Sequence, residues 1–146
     1  MVGRSRRFAI SDTAQQIVGG FLLAGPFVVT DEVWGLAVGM AWYQAVATVG
    51  IVLAVGYGAL YKADDDRDPD REAEVAGVPL RFVSLIVVSY LSVGILALSF
   101  DAPATLIPNH VDPPIAMREQ VYITLKAMSV GSVFSVIGAA TADSVF

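Results

Sequence analysis

The sequence contains no cysteine. Disulfide frameworks and thiolate metal centres are therefore excluded. A single histidine, His110, stands beside Asn109 and Asp112 in a proline-rich stretch. One imidazole makes a weak metal site, so His110 reads as a surface residue and no metal is assigned. Charge is scarce: 16% of the 146 residues are charged, against about 25% in average soluble domains. No nucleophile–base pair, phosphate-binding loop or basic nucleic-acid patch is present, which argues against an enzyme, a cofactor and a nucleic-acid partner.

What the chain has instead is apolar length. Hydrophobic residues make up 55% of it, with a mean hydropathy of +0.66. A soluble domain of this size cannot hide so much apolar surface, so a lipid bilayer is the expected partner. Uncharged runs cover 13–30, 33–61 and 82–100, and a fourth, 120–142, is interrupted once by Lys126. A spanning helix needs about 20 apolar residues. The expected fold class is an all-α membrane protein: one transmembrane domain, a bundle of four helices at about 12–30, 33–61, 81–100 and 118–142. An acidic loop, 62–80, and a proline-rich loop, 101–115, join them. No small-residue cleavage pattern follows the first run, so it reads as a span and not as a signal peptide. The second run is too long. Its 29 residues at about 1.5 Å each give roughly 43 Å, so it must tilt, project, or begin as an interfacial segment around Trp34.

Lysine and arginine orient the chain. Arg4, Arg6, Arg7, Lys62, Arg67, Arg71 and Arg81 fall on one side, and only Arg118 and Lys126 on the other. The positive-inside rule then puts both termini in the cytoplasm (N-in/C-in) of a multi-pass cell-membrane protein. Phe8, Tyr61 and Phe82 fall at the inner boundary; Trp34, Phe100 and Tyr122 fall at the outer one. This placement bears on Val55-Gly56-Tyr57-Gly58, which matches the core of a potassium selectivity filter. Such a filter is a loop near the outer face. These residues sit at the cytoplasmic end of the second run, so they read as helix packing.

The loop 63–77 holds seven acids and two arginines. Its alternating aspartates do not make an EF-hand, because Pro69 and Val75 occupy the positions that Gly and Glu require. It reads as a solvated loop. A sequence pI near 4.6 suits high salt, where repulsion between carboxylates is screened, and points to a halophile.

Small residues mark helix packing. Gly35 and Gly39 are four apart; Gly131, Ser135, Gly138 and Ala142 lie on one face of the fourth run. Both sets let backbones approach, within a subunit or at a seam between copies. Ser89 and Ser92 share a face of the third run. Pro26 is expected to kink the first helix. Asp12, following Ser11, and Asp31 with Glu32 read as helix N-terminal capping groups. Lys126 lies roughly 9–12 Å of helix rise past the outer edge. It either snorkels outward or pairs with Asp31, Glu32 or, less favourably placed, Glu119. Asp12, Asp31, Glu32, Glu119 and Lys126 are the candidate ion-pathway groups.

The stretch GGFLLAGPFVVTDEVW, 19–34, resembles the start of an uncharacterised family of predicted integral membrane proteins of haloarchaea and bacteria, matched at Pro26, Glu32 and Trp34. Ile137-Gly138-Ala139 is similar to the same family. The resemblance implies a membrane protein and no established activity. Arg6-x-x-x-Ile10-Ser11-Asp12 is similar, more faintly, to the Arg-x-x-x-Phe-Ser-Asp motif of lysosomal-type potassium channels, with Ile in place of Phe. The expected function is a homo-oligomeric small-ion channel or transporter-like protein. The alternative is a non-transporting accessory or scaffold subunit bound to another membrane protein.

Overall fold

A computed structural model describes residues 10–62, 74–75 and 77–145. The arginine-rich tail and most of the acidic loop lie outside the described residues. The described chain is almost wholly helical: α1 (Ile10–Val28), α2 (Asp31–Gly39), α3 (Trp42–Tyr57), α4 (Leu80–Ser99), α5 (Ala102–Leu106) and α6 (Met117–Val145). A π-turn, Gly58–Lys62, closes α3. A two-residue antiparallel ladder, with Val75 opposite Val78, leads into α4, and Gly77 at φ +82° makes its reversal.

Three helices are long and apolar enough to cross a membrane, and four if α1 and α2 together form one bent span. The 33–61 run is not one helix. It is divided at Met40-Ala41 into α2 and α3, both residues being extended. The surplus length noted in the sequence is thus taken up by a separate short helix. Pro26 lies in the last turn of α1, and the chain bends by 81° just beyond it. Polar side chains hold that bend. Thr30 Oγ1 donates to Phe27 O at 2.8 Å, and Trp34 Nε1 donates to Val28 O at 2.9 Å. Both carbonyls are among those a helix end leaves without a partner. Trp34 is fully buried, so it is a core residue and not part of an interfacial aromatic belt.

The starts of α1 and α4 and the end of α6 meet at one end of the bundle, through Arg81. That is the Arg81 end. The opposite end, the Asp31 end, holds α2, α5 and the start of α6. The core has two layers. Near the Asp31 end, Trp34, Val28, Val93, Ala97, Ile107 and Ile123 cluster. Near the Arg81 end, Val52, Leu60, Leu85, Val136 and Ala140 cluster. Between them the bundle is narrow. A Cβ on Gly19 would strike the Gly138 carbonyl and lie 2.6 Å from Ala142 Cβ. Ser135 Oγ donates to Gly20 O at 3.1 Å. Gly131 faces Val93, where a Cβ would approach a methyl to 2.9 Å. The α6 stripe therefore packs on α1 and α4 of its own subunit. Val55–Gly58 is helical, with Gly56 against Val136 and Leu85, so its carbonyls line no pore.

Gly138→Leu should be destabilised by about 2 kcal/mol or more, since neither backbone can yield to the added volume. Gly58→Ala, whose Cβ would meet nothing within 4 Å, should stay within about 0.5 kcal/mol. Denaturant titration in detergent, followed by helical circular dichroism, compares the two.

Candidate functional site

The most concentrated chemistry lies at the Arg81 end. Arg81 opens α4 and is 1% exposed. Its Nη1 lies 2.8 Å from Asp143 Oδ1, near the end of α6, and its Nη2 lies 3.2 Å from Asp12 Oδ2, in the first turn of α1. Gln16, fully buried one turn after Asp12, donates to Asp143 Oδ2 at 3.0 Å. Its Oε1 accepts from Ser84 Oγ at 2.7 Å, and Thr13 and Ser84 hydroxyls lie 3.1 Å apart. Helical spacing builds the cluster, because Asp12 with Gln16 and Arg81 with Ser84 are pairs that share a face. The planar guanidinium suits two carboxylates at once. Asp12 is thus a buried ion-pair partner.

A second centre forms where α2 gives way to α3. Lys126, buried in α6, donates through Nζ to Met40 O at 2.8 Å and lies 4.4 Å from the Tyr122 ring centroid. Gln44 Oε1 accepts the Ala41 N–H at 2.8 Å. The broken helix therefore has the Met40 carbonyl and the Ala41 amide answered by side chains, which a helix end leaves without partners of its own. Lys126 neither snorkels to the bundle end nor pairs with Asp31 or Glu32. Its hydrogen-bond partner is a backbone carbonyl, and Glu119 acts on it through space alone.

Asp31, half-exposed, holds the connecting segment after α5. Asn109 Nδ2 donates to its Oδ1 at 3.1 Å, and His110 Nε2 lies 3.0 Å away. The imidazole rests on Gly35, where a Cβ would come within 2.9 Å of it. Gly35 thus makes room for a histidine and not for a helix, and Gly39 faces open space. The Asn109 hydrogen bond, with His110 beside it, holds the Asp31 carboxyl below the usual carboxylate range.

The five candidate pathway residues are not gathered into one site. Asp12 is at the Arg81 end; Asp31, Glu32, Glu119 and Lys126 are at the other, with Glu32 and Glu119 exposed. Sequence reasoning missed Arg81 as more than a topogenic charge, and missed Gln16, Ser84, Gln44 and Asp143. The available signal was polar residues spaced three or four apart at the start of two spans. Between the ends, the Ser92 and Ser132 hydroxyls are buried with no hydrogen-bond partner among the described residues, and Tyr90 Oη lies 3.0 Å from Ser129 Oγ. Among the described residues no group of three or more metal-ligating side chains occurs. No family model, curated protein or solved structure matches the chain.

Arg81→Met should cost about 3–5 kcal/mol, because it leaves two carboxylates buried without their guanidinium. Arg81→Met combined with Asp12→Asn and Asp143→Asn should recover part of that loss, and thermal unfolding in detergent reads the difference. For Asp31, a lowered folded value means stability that is present above the unfolded carboxylate range and lost as pH falls through the folded value. Asn109→Ala should raise the Asp31 value towards the ordinary one, near 3.9, and so shrink the stability that Asp31 loses as pH falls. Carboxylate NMR titration measures the shift.

Proposed function

We propose that the chain is a non-enzymatic, four-span integral membrane protein of the cell membrane that works as an accessory subunit, joining a second membrane-embedded chain, its own copy in the simplest case. The spans are α1, α3, α4 and α6, with α2 as the interfacial segment. Lys62 and Arg81 lie at one end of the bundle and Arg118 at the other, which favours the Arg81 end, with both termini, as cytoplasmic. One observation carries the functional reading. Only 17% of the apolar stretch of α3 is buried, against 39% for α4 and 61% for α6. Along its uncovered side run Tyr43, Ala47, Gly50 and Ala54. The small ones, Ala47, Gly50 and Ala54, let a second helix approach closely. The charges inside the bundle, by contrast, are engaged within the subunit.

A second reading, a homo-oligomeric conductor of small ions, is favoured by Asp12 and Asp143. Ionisable groups inside apolar helices are costly and commonly mark ion paths. The close α1–α6 contact at Gly19 and Gly138 leaves no lumen there, so a path would follow seams between copies.

Mass measurement in nanodiscs should find a complex of two or more chains, reduced to single chains by Gly50→Leu with Ala54→Leu, and proteoliposomes should pass no ions. A monomer with no constant partner in native membranes overturns the accessory reading. Ion flux abolished by Asp12→Asn replaces it with the second.

A further inference from the structure

At the Asp31 end the surface beside α6 holds a groove of about 500 Å³, lined by Ala116, Arg118, Glu119 and Tyr122. It lies apart from both polar clusters described above. Helical spacing builds its wall. Arg118 stands four positions before Tyr122 and Glu119 three, so all three fall on one side of the opening turns of α6.

The two charges in the groove are opposite, and they do not neutralise each other. They are consecutive in sequence, yet no ion pair of 4.0 Å or less joins them. Among the described residues neither side chain makes a hydrogen bond, and neither does the Tyr122 hydroxyl. Lys126, one turn beyond Tyr122, has its hydrogen bond to Met40 O and touches Glu119 only through space. Past this charged mouth the helix turns apolar. Val121 and Leu125, one turn apart, are exposed on its flank.

Three demands fall on an occupant. It carries a negative group for Arg118, a positive group for Glu119, and an apolar part for Val121 and Leu125. Inorganic phosphate, or an anionic headgroup, would suit Arg118 and leave its charge beside the Glu119 carboxylate. A soluble zwitterion would leave the apolar flank bare. A zwitterionic phospholipid meets all three demands. Its phosphodiester takes the planar fork of a guanidinium, and a primary ammonium donates to a carboxylate.

We propose that this groove seats the headgroup of one zwitterionic phospholipid with a primary ammonium. The phosphate lies on Arg118 and the Tyr122 hydroxyl, the ammonium on Glu119, and an acyl chain along Val121 and Leu125. The proposal rests on α6 crossing a bilayer, as read above, and not on what covers α3.

The test follows lipid retention by the purified full chain in detergent, using native mass spectrometry. Phosphatidylethanolamine and phosphatidylglycerol with the same acyl chains are the probes. One phosphatidylethanolamine should bind saturably and in preference to phosphatidylglycerol. Arg118→Gln should weaken it about tenfold, the loss of one charge-assisted contact. Glu119→Gln should erase the preference between the two lipids. Glu32→Gln, exposed at the same end, should change neither. Arg118 and Glu119 are exposed, so both variants should keep the helical circular dichroism of the parent. Equal retention of the two lipids overturns the proposal, and so does a preference that survives both groove substitutions. Full displacement by inorganic phosphate, or by glycerophosphoethanolamine, overturns it too, assigning the groove to a soluble ligand. A chain that stays dispersed without detergent is a different failure, since it removes the membrane reading itself.

Discussion

Arg81 carries a full charge where almost no solvent reaches it. A guanidinium in that position is tolerable only with carboxylates against it and every remaining donor answered. Asp143 comes from the end of α6 and Asp12 from the start of α1. The pairing therefore forces three helices to meet at one end, with α6 antiparallel to the other two. Gln16 and Ser84 close the ring of hydrogen bonds. Midway along the bundle no charge is needed to hold the helices. Glycine and serine let α1 and α6 approach until backbone meets backbone, and dispersion over that contact does the rest.

The Asp31 end obeys a related constraint. Carbonyls and amides freed by a bend or a break must find partners inside the protein when no water is at hand. Two interruptions follow one another here, after Val28 and after Gly39, and each is closed by one local and one more distant side chain. Thr30 and Trp34 serve the first; Gln44 and Lys126 serve the second. Each interruption has at least one partner supplied by a different helix, Trp34 from α2 and Lys126 from α6. The short helix α2 is thereby fixed between α1, α6 and the segment that Asp31 holds through Asn109 and His110.

These uses of charge bear on function. In the two clusters the ionisable groups inside the bundle hold helices together, and the bundle between them is closed by direct helix contact. Among the described span-length helices, α3 is the least covered by the rest of the chain. The physical emphasis thus moves from a path through one subunit to what happens between subunits.

The length and apolar character of the long helices, and nearly all their positions, followed from the order of amino acids alone, because a run of about 20 uncharged residues is long enough to cross hydrocarbon as one helix. Residues 82–100 and 120–142 became α4 and α6 within a few positions. The small-residue face of α6 was legible too, since helical spacing is a local property. The break at Met40-Ala41 was not, because its carbonyl is answered by Lys126, 86 positions away. Nor was the company of Asp12, because Arg81 and Asp143 lie on other helices, and Asp143 looked like a residue past the end of its span. Gly35 read as a helix contact, yet a histidine from the segment beyond α5 rests on it. Periodicity and hydropathy act along the chain, so they place helices. Which buried charge meets which partner was settled in three dimensions, across helices, by distance and by the cost of leaving any of them bare.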